Sequence, residues 1–289
     1  MDPRATLFAL GNGHPGPLPA EILRGRLERE MFHGGCCDIV VPPQVTAGRA
    51  LLWATKDLES SPGQRFLEFA FAAEALGEFY GETPDLLLPY CDGCRSHRPS
   101  TVRALARSLA ALAVRSIVFF DLHREDILQL LPGKAVHLPT LPLWAPFLSR
   151  LFPPIELAIA PDLGRAAAVA DLAKMLGIES TTLNKNRPEE PLLPTIRGRH
   201  VLLFDDEVVS GRTMRSALDR LRRANVKSIT IAITYALCRE DVLIQLAAEP
   251  SVRSLIVSDL IARPERPDGT VSLALPLLKQ FLRLTNSDE

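Results

Sequence analysis

No apolar run in this sequence approaches the ~18–20 residues needed to cross a bilayer, which argues against a helical membrane span. The first residues, MDPRATLFALGNGHPGPLP, have no basic leader and an apolar stretch of about five residues, so no signal peptide is expected. Cysteine is scarce: five in 289 residues, an odd number, with Cys36 and Cys37 adjacent. That usage does not describe a disulfide framework, and a cytoplasmic protein is the simplest expectation. Net charge is nearly absent at −1, so the molecule as a whole presents no basic field to a nucleic-acid backbone. Anions, if bound, must be held by local sites. The 24 prolines and 17 glycines form no tract, which excludes a low-complexity linker.

What is present is the balance of a globular protein, 47% hydrophobic and 23% charged, with enough chain for a sizeable core. Strand-like apolar runs alternate with amphipathic helical ones, which predicts α/β architecture with a largely parallel sheet. Strands are expected at residues 50–54, 85–89, 116–121, 157–160, 200–204, 228–234 and 255–258. Helices are expected at 65–80, 101–112, 165–176 (closed by Gly177) and 213–224. Between the halves, Leu138–Pro146 carries three closely spaced prolines, which discourage both helix interior and central strand. We place a domain boundary there, giving residues 1–139 and 140–274, with a C-terminal helix over 275–289 expected to pack on the first domain.

In such sheets ligands bind beyond the carboxyl ends of the strands. The most informative of these ends is VLLFDDEVVSGRTM, Val201–Met214, an apolar strand running into an acidic, hydroxyl-rich turn before a helix. Gly211 can adopt backbone angles barred to other residues and fold the chain around an anion. Backbone N–H groups at the helix start would point at that anion, and Ser210 and Thr213 can donate to phosphate oxygens. Asp205 and Asp206, one step back, could accept from ribose hydroxyls or hold a metal. The plainer alternative is an ordinary helix cap after a solvated acidic turn. The spacing from the acidic pair to Gly and Thr is similar to the phosphoribosyl-pyrophosphate signature DD-x-x-x-T-G-G-T, with Val209 and Arg212 as departures.

Further motifs follow in a fixed order: Pro89-Tyr90 then Arg95, Asp121-Leu122-His123, Ala160-Pro161-Asp162-Leu163-Gly164, Asn184-Lys185-Asn186-Arg187-Pro188, and VSLALPLL near the end. Taken singly, the DLH triplet could end a strand and cap a helix, and Lys185 with Arg187 could be a solvated charge pair. In this order, from about residue 50 onward, the chain resembles the ribose-phosphate diphosphokinases, the phosphoribosyl-pyrophosphate synthases. The resemblance implies two tandem type I phosphoribosyltransferase-like domains, each a mainly parallel sheet flanked by helices. It implies transfer of diphosphate from ATP to O1 of ribose 5-phosphate with Mg²⁺, in a homo-oligomer, dimer or hexamer. It assigns ribose 5-phosphate to Asp205, Asp206, Ser210, Gly211, Arg212 and Thr213, and transition-state charge to Lys185 and Arg187. His123 and Asp162 become the metal-side residues, and Arg95, Ser96, His97 and Phe32 the nucleotide-side ones.

The departures cluster on the nucleotide side. The family's F-x-D-x-E hairpin is matched only by Phe32-His33-Gly34-Gly35-Cys36, and Ser96-His97 stand where its Gln-Asp pair follows Arg95. Two alternatives therefore stay open: a catalytically silent subunit of a synthase, or a phosphoribosyltransferase that consumes phosphoribosyl pyrophosphate. Cys91-Asp92-Gly93-Cys94 is a C-x-x-C that could hold zinc or do redox chemistry.

Overall fold

The computed structural model describes residues 4–10, 17–18, 20–31, 37–46, 48–54, 56, 61–122, 124–183, 196–261 and 269–285. The chain divides into two compact units: residues 1–139, 260–263 and 274–289, and residues 140–259 and 264–273.

Unit 1 contains β1 (Ala5–Leu10), β2 (Ile22–Arg24), β3 (Glu28–Met31), β4 (Cys37–Val40), β5 (Arg49–Ala54), α1 (Pro62–Tyr80), β6 (Asp85–Leu88), α2 (Pro99–Ala110), β7 (Ile117–Phe120), α3 (Asp126–Gln129) and β8 (Ala135–Leu138). Its six-stranded sheet runs β2-β1-β5-β6-β7-β8, every pair parallel, and β3 and β4 form a separate antiparallel hairpin. Strands β5, β6 and β7 are buried along nearly their whole length, which is why they read as unbroken apolar runs rather than alternating ones. Helix α1 starts where Ser61 accepts from the Gln64 N–H (3.2 Å) with Pro62 in its first turn. It stops at Gly81, whose φ of 73° no other residue adopts cheaply. The carbonyls at the end of α2 are satisfied by Lys134 Nζ, which reaches Ala110 O (3.0 Å) and Leu112 O (2.8 Å).

Unit 2 contains α4 (Leu141–Leu148), β9 (Leu157–Ala160), α5 (Ala166–Leu176), β10 (Glu179–Thr182), β11 (His200–Val208), α6 (Arg212–Arg223), β12 (Ser228–Ala236), α7 (Glu240–Ala247), β13 (Val252–Ser258) and β14 (Thr270–Val271). The order β10-β9-β11-β12-β13-β14 is again parallel throughout. The last helix, α8 (Ala274–Thr285), belongs to unit 1, where Arg49 lies 5.9 Å over the Phe281 ring. Two parallel sheets flanked by helices are the architecture expected from the alternating pattern.

Two segments differ from expectation. The proline-rich Leu138–Pro146 stretch is not irregular: Leu138 ends β8, and α4 forms with Pro142 in its first turn and Pro146 inside. Pro142 sits where the N–H would be unpaired anyway, and Pro146 removes one hydrogen bond from a helix anchored elsewhere. That anchor is Trp144, fully buried, whose Nε1–H donates to Thr234 Oγ1 (3.1 Å). Strand β11 also outruns its expected end at Phe204. Pairing with β12 continues through Asp205↔Ile233, Glu207↔Tyr235 and Val208↔Ala236, so the acidic residues lie on strand rather than in an open turn.

Among the described residues no helix is long and apolar enough to cross a membrane.

Candidate functional site

In unit 2, β9 and β11 are hydrogen-bonded neighbours, which sets the loops beyond their carboxyl ends side by side. Asp162 follows β9 and caps a short 3₁₀ turn, Leu163–Arg165, by accepting the Gly164 N–H at 2.9 Å. Arg165 then reaches across to Asp206, Nη2 to Oδ2 3.1 Å. The two aspartates of β11 are 8% and 5% exposed. Burial, reinforced by the Asp206 carboxylate and by Asp162 against the pull of Arg165, raises Asp205 from the ordinary carboxylate range to about 8. Three carboxylates against one guanidinium make a site that favours a proton or an added cation.

Beyond β11 the chain turns at Val209–Gly211 into α6. Gly211 is the residue before the helix, with φ 70°, and a Cβ there would stand 2.7 Å from Val242 Cγ1. Both the angle and the close approach call for glycine. Ser210 Oγ accepts from the Arg212 N–H (3.5 Å) and from Arg212 Nε (3.4 Å), and Thr213 is exposed in the first turn. Arg215, one turn into α6, donates from Nη2 to Ser210 O (2.6 Å) and from Nη1 to Gln245 Oε1 (3.1 Å). It ties the turn to α7.

In unit 1, β6 and β7 are likewise neighbours, which brings the Tyr90–His97 segment beside the loop after β7. Arg95 is exposed, Ser96 Oγ accepts from the Arg98 N–H (3.2 Å), and His97 Nδ1 lies 3.2 Å from Arg124 Nη1. Arg124 grips Asp126 with Nε (3.3 Å) and Nη2 (2.9 Å), and that hydrogen-bonded guanidinium holds the Asp126 carboxyl below its usual range. Asp121 opens the loop with φ 54°. His137 on β8 ties the DLH triplet to the residues after it: its Nε2 accepts from the Leu122 N–H (3.1 Å) and its Nδ1 faces Glu125 Oε1 (3.2 Å). Cys91 and Cys94 are joined by a disulfide.

Phe32, His123, Lys185 and Arg187 lie outside the described residues. The structure brings Asp162 together with Asp205 and Asp206 in one unit, and His97 together with the loop after Asp121 in the other. Arg165, Arg215, Arg124 and His137 were not singled out from the sequence. Arg165 and Arg124 each directly follow a motif, a weak signal. Nothing local marks Arg215 or His137, because their partners are set by helix packing and strand order.

A family model for the phosphoribosyl transferase domain matches residues 158–242, the stretch from β9 into α7. The chain is similar to the ribose-phosphate pyrophosphokinase of Thermococcus kodakarensis, 29% identical over 75% of this chain and 79% of the relative. The corresponding enzyme of Methanopyrus kandleri is 25% identical over 96% of each chain. In fold, the solved phosphoribosylpyrophosphate synthetase from Mycobacterium smegmatis superposes with a TM-score of 0.82 over 99% of this chain and 100% of that one, at 21% identity. With these relatives spanning most of its length, the chain is similar to the ribose-phosphate pyrophosphokinases, a likeness that the phosphoribosyl transferase model supports over residues 158–242.

Proposed function

We propose that this protein forms phosphoribosyl pyrophosphate by moving diphosphate from ATP to O1 of ribose 5-phosphate. The observation that carries the proposal is the turn at Gly211. It is shaped by a positive φ, tied by Arg215 to the Ser210 carbonyl, leads into α6, and lies just beyond two buried carboxylates. The 5-phosphate would sit against the N–H groups at the start of α6, with Ser210, Arg212 and Thr213 contributing donors. Asp205 and Asp206 would accept from the ribose hydroxyls. Ribose O1 attacks the β-phosphorus of ATP, the bond from that phosphorus to the oxygen of the α-phosphate breaks, AMP leaves, and the O1 proton is lost.

Such a transfer depends on positioning and charge neutralisation more than on covalent chemistry. Lys185 and Arg187 would neutralise the transferred group. Arg95, Ser96, His97 and Phe32 would hold the donor nucleotide. A divalent cation, Mg²⁺ in this reading, would be held by His123 and Asp162 and would screen the phosphate charge. The residues fit it: the carboxylates around Asp205 crowd negative charge, and Mg²⁺ usually takes one or two protein oxygens and completes its shell from phosphates and water. Among the described residues no group of three or more His, Cys, Asp or Glu side chains is placed to hold a metal ion. We place the reaction in the cytoplasm and in a homo-oligomer, with the ribose-phosphate half beginning near residue 140.

The test is incubation of the pure protein with ribose 5-phosphate, ATP and Mg²⁺, following AMP. Lys185→Ala should cut turnover by orders of magnitude and leave ribose 5-phosphate affinity nearly unchanged; equal loss of both would remove Lys185 from the role. A second reading, a silent subunit of a synthase, is favoured by one observation. The β3–β4 hairpin is present, yet its connecting segment Phe32–Cys36 carries no acid. Ribose 5-phosphate binding without AMP formation would select it.

A further inference from the structure

The C-x-x-C motif is a chemical feature that the proposed reaction leaves unused. It spans Cys91 to Cys94 immediately after β6, between Tyr90 and Arg95, and its two sulfurs are bonded to each other. A bridge across a sequence separation of only three residues closes a very short loop, and chain-entropy stabilisation grows with loop length. Its main effect is therefore on the turn itself. That turn is held at a second point: Asp92, inside the bridge, pairs with Lys56 Nζ (3.1 Å) and with the buried Arg65, and Lys56 lies 5.6 Å over the Tyr90 ring. Gly93 at φ 88° completes it, with the Cys94 N–H donating to Cys91 O (3.3 Å).

The two sulfurs differ in access. Cys94 is 4% exposed and packs in the apolar core of unit 1. Cys91 is only partly buried and lines a cavity of about 260 Å³ together with Lys56, Arg65, Tyr90 and Asp92. A thiol from outside can reach one sulfur and not the other.

We propose that Cys91–Cys94 is a reversible thiol–disulfide site whose oxidation state sets the shape of the loop carrying Arg95. The co-reactant is a dithiol reductant. One of its thiolates attacks Cys91 Sγ, forming a mixed disulfide, while the bond to Cys94 breaks and Cys94 leaves as a thiolate that takes up a proton. The reductant's second thiol then attacks its own bridged sulfur and releases Cys91 as a thiol. The protein gains two electrons and two protons, and the reductant leaves as its disulfide. Reduction removes the covalent tie across this turn and leaves it to the Asp92 ion pairs and the weaker contacts around it, so Arg95 and Ser96 start from a looser loop for gripping a triphosphate. That last consequence rests on the donor-side reading of Arg95 proposed above.

The experiment uses the full chain, oxidised and then reduced with dithiothreitol. Intact-mass alkylation counts the thiols, amide hydrogen exchange follows residues 89–98, and calorimetry measures binding of a non-hydrolysable ATP analogue and of ribose 5-phosphate. Reduction should expose two further alkylatable thiols, speed exchange in that segment, and weaken analogue binding by about tenfold, or 1.4 kcal/mol, with ribose 5-phosphate affinity unchanged. A protein with both Cys91→Ser and Cys94→Ser should behave as the reduced form under both conditions. An unchanged thiol count, stoichiometric zinc on the two sulfurs, or a bond that breaks without altering exchange in the loop would overturn the proposal. If exchange changes but neither form binds the analogue, the thiol–disulfide site stands and the donor-side reading of Arg95 fails instead.

Discussion

At the scale of single residues, Asp205 and Gly211 carry the strongest consequences. An Asp raised to about 8 in the folded protein keeps a proton that the unfolded chain has already lost. Its contribution is therefore present in full below the ordinary carboxylate range and is lost as pH rises towards and through about 8. Asp205→Asn removes that dependence. The variant should be more stable than the parent at pH 8.5, with the gap closing by pH 4.5, in urea melts of the ligand-free protein, while losing ribose 5-phosphate affinity. Parallel melting curves at the two pH values would show that Asp205 is an ordinary carboxylate. Gly211→Ala places a Cβ against Val242 at an angle that favours glycine, and should cost about 1–3 kcal/mol. Its clearer readout is binding: calorimetry should find ribose 5-phosphate weakened well beyond any effect on the triphosphate. The choice of glycine at 211 was legible in the sequence because turn chemistry is local. The raised Asp205 was not, since it arises from the extension of β11 and from Asp162 and Arg165 on another loop.

At the scale of elements, adjacent parallel strands bring motifs together. The β9–β11 pair joins the Asp162 loop to Asp206 through Arg165, and the β6–β7 pair joins His97 to Arg124. One strand further out, β8 supplies His137, which accepts from the Leu122 N–H inside the DLH triplet and faces Glu125 just beyond it. His137→Leu leaves that N–H without its acceptor, a loss of about 1–3 kcal/mol where the group is buried. The expected effect is a fall in turnover of about tenfold with ribose 5-phosphate affinity intact. Partial recovery in His137→Gln would assign the effect to the hydrogen bond, and equal loss in both would assign it to packing. The proline-rich segment teaches the same lesson in reverse. Local propensity there opposes helix, yet α4 forms because Trp144 is buried and bonded to Thr234, a residue 90 positions away.

For the whole molecule, the two-unit division makes the chain's last helix part of the unit that its first residues begin. Helix α8 buries Leu277, Leu278, Phe281 and Leu282, each worth roughly 1.5–3 kcal/mol when removed from water. Deleting residues 274–289 should therefore lower the melting temperature sharply and expose apolar surface, measurable by calorimetry and dye binding. An unchanged melting curve would mean that α8 is not part of the cooperative core. By itself the sequence determined the parallel α/β rhythm, the order of the motifs and through it the family resemblance, because strands buried on both faces are written as apolar runs and turn chemistry is written in a few contiguous residues. Only the tertiary structure decided that the acidic pair is buried strand, that Arg165 answers Asp206, that His137 holds the loop after β7, that Arg215 ties its turn to α7, and that Cys91 and Cys94 are bonded. Each of those depends on which strand lies beside which, and on the burial that the neighbour imposes.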